Sequence, residues 1–270
     1  MIFTRRTKIA LAVVAVIGLT FIYVPLIVVV VNSFNPAKVF SWPPRGFSPI
    51  WWSKALSDNG VLTAVWTSVK AGLGATAIAI VLGSMIAFAV VRYSWFGRST
   101  VGFVVILPIA LPGIVTGIAL NAAFSTVLVP LGISFGLFTV VLGHATFCIV
   151  VVFNNVAARL RRTGRSLEEA SMDLGADTFT TFRRVTLPAI RSSLVAGALL
   201  AFALSFDEIV VTTFTAGPGI QTLPQWVFNN LFRPNQGPIV NAVAAALVVL
   251  FIVPVYLAQR ISEAETGGRF

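Results

Sequence analysis

The chain has 270 residues, of which 57% are hydrophobic and 10% charged, with a formal net charge of +10. A soluble globular domain usually carries about 25% charged residues, so a water-soluble all-helical protein of this composition would have to expose much of its apolar surface. The charge lies in short segments between apolar runs and forms no basic stripe, which points to membrane topology and away from nucleic acid.

A spanning helix needs about 20 mostly apolar residues to cross ~30 Å of hydrocarbon. The first such run, about 9–31, follows Arg5, Arg6 and Lys8. It is too long for the apolar region of a secretory signal, and no small-residue cleavage pattern follows, so it reads as an uncleaved span. The segment 34–60 carries Trp42, Trp51 and Trp52, which suit a membrane–water interface. The second span is about 67–91, with Lys70 near one end. The third, about 101–124, contains Leu107-Pro108, Leu111-Pro112-Gly113 and Gly117. Proline removes a helix donor and kinks the helix; the sequence leaves open whether the kink serves packing or a bendable pore-lining segment.

The fourth span, about 137–156, holds His144, Cys148, Asn154 and Asn155. The one cysteine excludes an internal disulfide and a cysteine-based metal cluster. His144, the single histidine, reads as a buried polar contact in preference to a proton relay or metal ligand. The two asparagines are expected to hydrogen-bond neighbouring helices, with a pore role left open. The fifth span, about 194–214, is interrupted only by Asp207 and Glu208, and the sixth is about 239–258. Long runs without alternation specify helices and not barrel strands. The fold class is therefore all-α: a polytopic membrane protein with six transmembrane helices in one domain, 1–270, since no linker or composition break divides it.

With the N-terminus inside, fourteen Lys and Arg fall on inner segments: Arg5, Arg6, Lys8, Arg92, Arg98, Arg159, Arg161, Arg162, Arg165, Arg183, Arg184, Arg191, Arg260 and Arg269. Five fall on outer segments: Lys38, Arg45, Lys54, Lys70 and Arg233. The positive-inside rule then places both termini in the cytoplasm.

The inner segment 159–193 is patterned. Ser166-Leu167-Glu168-Glu169 reads as a capping box opening a short helix through Leu174. Gly175 suits a left-handed C-terminal position. Asp177 is placed to cap a second helix, which is expected to stop before Leu187-Pro188. Phe179 and Phe182 give that helix a small apolar face suited to docking.

Within this segment Glu169-Ala170-Ser171, three residues, Gly175, nine residues, Val185, one residue and Leu187-Pro188 resembles the EAA loop of ABC importer permeases, departing from it at Ser171 for alanine and Val185 for isoleucine. The resemblance implies a type I importer permease fold, with 159–193 as the coupling loop. It implies that Glu169, Ala170, Ser171 and Gly175 contact a separate ATPase, and that Leu187 and Pro188 fix the loop's return to the membrane. The chain lacks a Gly-x-x-x-x-Gly-Lys-Ser/Thr phosphate loop, so ATP and Mg belong to that partner, and no cofactor, metal or catalytic residue is expected here.

A carboxylate near the centre of a membrane helix costs about 2.5–3.5 kcal/mol and is usually functional. Asp207 and Glu208, with Phe206 beside them, are the candidate pathway residues; a structural role against a partner permease is the competing reading. The stretches Ser205–Phe214, Ala216-Gly217-Pro218, Thr222-Leu223-Pro224, His144–Cys148 and Phe153-Asn154-Asn155 resemble the spermidine/putrescine group of permeases. That implies polyamine import with a second permease, two ATPase subunits and an extracytoplasmic binding protein, in a bacterial inner membrane. An importer for another small solute is the alternative. A stand-alone secondary transporter would show inverted repeats, and a membrane enzyme a cluster of reactive side chains; neither is visible.

Overall fold

The computed structural model describes residues 4–39 and 41–266, with side-chain surroundings as far as Leu250 and at Tyr256. Arg269, counted above with the inner charges, lies outside the described residues, as does the side chain of Arg260.

Twelve α-helices follow in chain order among the described residues: α1 (Arg5–Asn32), α2 (Ile50–Ser57), α3 (Asn59–Arg92), α4 (Arg98–Ala110), α5 (Gly113–Val127), α6 (Leu137–Thr163), α7 (Ser166–Asp173), α8 (Thr178–Thr181), α9 (Leu187–Phe206), α10 (Val210–Thr215), α11 (Leu223–Leu231) and α12 (Gly237–Thr266). A 3-10 turn, Val129–Leu131, follows α5, and a π turn, Phe182–Thr186, joins α8 to α9. Five helical stretches are long and apolar enough to cross a membrane: Arg5–Asn32, Asn59–Arg92, Gly113–Leu131, Leu137–Thr163 and Thr178–Phe206. The expected sixth span lies within α12, whose described apolar part is Gly237–Leu250.

The chain packs as two compact units, Met1–Leu62 with Val227–Ile252 and Thr63–Trp226 with Val253–Phe270. The sequence, read as one domain, shows no linker because the boundaries fall inside α3, α11 and α12.

In the first unit, Thr4 caps α1 by accepting from the Thr7 amide at 3.3 Å. The apolar side chains of α1 are exposed nearly all round, the surface of a helix solvated by lipid. Beyond its end, Trp51 Nε1 donates to the Asn35 carbonyl at 3.0 Å and Trp52 Nε1 to Ser33 Oγ at 3.1 Å. Trp52 also stacks on Phe34 at 5.5 Å. Amphipathic indoles thus meet a polar cluster at one end of an apolar helix.

In the second unit, α6 is the central element. Lipid is as apolar as leucine, so close packing must hold the helices together, and small residues allow it. Ala71, Ala75, Ala79 and Ala87 of α3 are fully buried, the last three in one core with Val152, Val156 and Leu160 of α6. Gly83 marks the closest approach: a Cβ there would meet the Ile149 carbonyl at 2.9 Å.

The expected third span divides in two. Pro108 is tolerated within α4, but Leu111 before Pro112 is extended (φ −80°, ψ 146°) and ends the helix. Pro112 then caps α5, whose Asn121 Nδ2 donates to the Phe214 carbonyl of α10 at 2.6 Å.

Candidate functional site

Two regions of the second unit carry the chemistry. The first is the loop 159–193. Its first helix starts one residue earlier than a Ser166 cap requires: Arg165 is the capping residue, and the Glu169 amide donates to the Arg165 carbonyl at 3.0 Å. The expected capping box therefore does not form, and α7 stops at Asp173, one residue short of the expected end. Gly175 takes the left-handed conformation (φ +90°), with open space where a Cβ would stand. Asp177 Oδ1 accepts from the Thr180 amide at 3.1 Å, as expected of a cap. Thr180 holds the Asp177 carboxyl below its ordinary value through side-chain and backbone hydrogen bonds.

The second helix does not end before Leu187-Pro188. Residues Thr178–Phe206 run on as one helical stretch. Pro188 sits at the start of α9, directly after the π turn Phe182–Thr186. The wider turn shifts the local hydrogen-bond register, so the missing proline donor falls where the helix is already irregular.

The loop is anchored by residues whose pairing the sequence did not disclose. Arg92, at the end of α3, is 7% exposed and pairs with Glu168 of α7, Nε to Oε2 at 3.0 Å. The same guanidinium donates to the carbonyls of Leu160 and Gly164 at the end of α6, each at 3.0 Å. Thr186 Oγ1 donates to Glu168 Oε1 at 3.1 Å, and Arg165 donates back to the Arg92 carbonyl. A rigid guanidinium fork therefore joins α3, α6 and α7. Glu168 and Arg92 lie far apart in sequence, and neither carries a local pattern that predicts the other.

Glu169 and Ala170 are exposed on α7; Ser171 Oγ lies 3.1 Å from Thr181 Oγ1 and ties α7 to α8. Leu187 is half-buried and Pro188 exposed. Around them Leu167, Met172, Leu174 and Phe179 expose large apolar side chains, Leu174 by 90%. A cleft of about 730 Å³ lies beneath, lined by Phe88, Arg92, Glu169, Phe179 and Phe182. The knob presents an apolar face and a carboxylate on a firmly held base.

The second region is where the fifth apolar run breaks. α9 ends at Phe206 and α10 starts at Val210, so the acidic pair stands on an interruption and not inside a continuous helix. Its two members differ. Glu208 Oε1 accepts from the Val211 amide at 2.8 Å and caps α10. The Asp207 side chain is exposed and makes no hydrogen bond or ion pair among the described residues. Phe206, beside them, is 1% exposed within this chain.

His144 spans the break. Its Nδ1 lies 2.7 Å from Ser205 Oγ, before the interruption, and its Nε2 lies 2.8 Å from Thr212 Oγ1, after it. The ring is fully buried, which matches the polar contact expected of it. Asn155 Nδ2 donates to the Val151 carbonyl of its own helix at 2.9 Å, not to a neighbour, and Asn154 is exposed. Among the described residues no group of three His, Cys, Asp or Glu is placed to hold a metal ion.

The model of the binding-protein-dependent transport system inner membrane component family matches residues 79–267, which include the loop, its anchor and the break. The chain belongs to that family. This permease is 36% identical over 240 residues, 87% of its length and 84% of the relative's, to the putrescine transport system permease protein PotI of Escherichia coli K12. It is 33% identical over 249 residues, 92% of each chain, to the spermidine/putrescine transport system permease protein PotC of the same strain. Its fold matches a bacterial ABC transporter involved in alginate import, with a TM-score of 0.69 at 17% identity, covering 98% of this chain and 99% of that one. The fold is thus the all-helical type I importer permease fold, as the EAA-like spacing implied. The permease is a multi-pass inner-membrane subunit of an ABC importer, and by its family a transport component whose ATPase is a separate subunit.

Proposed function

We propose that this permease forms one half of the translocation pathway of a polyamine importer, of the spermidine or putrescine type. The observation that carries the substrate class is Asp207: an exposed, unpaired carboxylate on a helix break, suited to attract a cationic amine in a low-dielectric surrounding. The putrescine permease PotI and the spermidine/putrescine permease PotC, which align along most of the chain, support the same class.

Six spans, with both termini in the cytoplasm, put the knob on the cytoplasmic side. There Glu169, Ala170, Ser171 and Gly175 meet an ATPase subunit, while Leu187 and Pro188 set the loop's return to the membrane. A second, similar permease completes the pathway, and two ATPase subunits hold ATP and Mg. An extracytoplasmic binding protein delivers the solute. Closure of the ATPase pair pulls on the knob, and the Arg92 fork passes the displacement to α3 and α6 as a rigid-body movement.

The test is uptake of labelled putrescine and spermidine by cells that carry or lack this chain. Uptake that depends on the chain supports the polyamine class. Uptake independent of it, with another solute chosen by the accompanying binding protein, reassigns the substrate and leaves the importer architecture in place.

A further inference from the structure

A cavity of about 450 Å³ opens beside α6 at the end away from His144, between α4 and the last turns of α6. Two arginines line it, Arg98 from the first turn of α4 and Arg161 from the last turn of α6. Both are exposed, and neither forms an ion pair among the described residues. Among the described residues no carboxylate lines the cavity. Ser99 and Asn154 add a hydroxyl and an amide at its rim, and the Asn154 side chain has no hydrogen-bond partner among the described residues. The floor is apolar, formed by buried Phe153 and Ala157, and the wall continues along α4 through the exposed side chains of Phe103 and Ile106.

Two unpaired guanidinium groups beside a hydroxyl and an amide match a phosphate. A soluble phosphate, however, would use only the rim. The apolar wall leading away from it fits an amphiphile, with the headgroup held by the arginines and the acyl chain laid along α4. Basic pockets between membrane helices take anionic lipid headgroups. We propose that this cavity is a binding site for an anionic phospholipid of the phosphatidylglycerol type, held through its phosphate by Arg98 and Arg161. A lipid there fills the space between α4 and α6 and holds α4 against the helix that carries His144.

The test is native mass spectrometry of the detergent-purified transporter with its partner subunits, offered phosphatidylglycerol and phosphatidylcholine in equal amounts. The wild type is expected to retain phosphatidylglycerol by roughly thirtyfold over phosphatidylcholine, as two basic groups near an anionic headgroup predict. The Arg98→Gln, Arg161→Gln pair is expected to fall to parity, and the Arg98→Lys, Arg161→Lys pair to keep most of the preference. Should the glutamine pair fail to assemble, Arg161→Gln alone is expected to lose part of the preference. Parity in the wild type overturns the proposal, as does an undiminished preference in the glutamine variants. Displacement of phosphatidylglycerol by millimolar inorganic phosphate assigns the cavity to a soluble anion and overturns the lipid site.

Discussion

His144 is hydrogen-bonded to Ser205 at 2.7 Å on one side of the break in the fifth span, and its other ring nitrogen reaches Thr212 on the far side. One buried imidazole thus fixes the separation of α9 and α10, and with it the position of Asp207 and Glu208. Replacing it with phenylalanine keeps much of the volume but takes its partner from the buried Ser205 hydroxyl, at about 1–3 kcal/mol, and leaves the Thr212 hydroxyl only its bond to the Glu208 carbonyl. The His144→Phe transporter is expected to melt several degrees lower in detergent, and His144→Gln to recover part of that loss. A melting curve unchanged by His144→Phe would show that the ring does not hold the break.

The two acids predict separable phenotypes. Asp207→Asn removes an exposed charge that supports no other group, so assembly and melting temperature are expected to stay constant while uptake of a polycation falls. Glu208→Gln weakens the cap on α10, at about 1 kcal/mol, so its first effect is expected in thermal stability. Uptake kinetics beside thermal melts distinguish the two; identical behaviour of both variants would contradict the division of labour.

The fork at Arg92 makes a third prediction. Arg92→Ala leaves the largely buried Glu168 carboxylate with the Thr186 hydroxyl but without its ion partner, a change that typically costs 3–5 kcal/mol, here about the lower figure because Glu168 is 17% exposed. Arg92→Lys keeps the charge but cannot reach both carbonyls of α6 as well as Glu168. Both variants are expected to hydrolyse ATP with less transport per ATP, since the knob is no longer tied to α3 and α6. Transport per ATP equal to the wild type in both would remove the fork from the coupling path.

Gly175 tests the docking surface. At φ +90° any side chain strains the turn by about 1 kcal/mol, a small loss for the fold. Gly175→Asp adds a charge beside the exposed apolar face of Leu174 and Phe179, and Glu169→Arg reverses a charge on the same knob. Both are expected to lower ATPase co-purification while the spans stay inserted. Full ATPase recovery with both variants would contradict the coupling role.

The sequence disclosed most of what depends on local pattern. Apolar runs located the membrane helices, the EAA-like spacing located the knob, and Gly175 and Asp177 take the conformation and the cap expected of them. What it hid depends on three-dimensional pairing. Arg92 looked like one more inner charge and Glu168 like half of a capping box, because nothing in a single chain marks two residues as partners across that distance. The break after Phe206 was hidden for another reason: Ser205 to Phe214 contains no proline or glycine, the residues that usually announce one. Buried hydroxyls and His144 stabilise it, and these pair only once α6 packs against α9. Pro188 erred in the opposite direction, since a π turn absorbs it and the helix continues.

The measurement that bears most directly on the importer account is ATP hydrolysis by the complex that co-purifies with this permease, reconstituted in lipid, with and without a polyamine and its binding protein. An ATPase and a second permease are expected to come down with the chain, and putrescine or spermidine with its binding protein to stimulate hydrolysis, by less when Asp207 is asparagine. A permease that purifies alone, or a complex whose hydrolysis ignores both polyamines, would contradict the account.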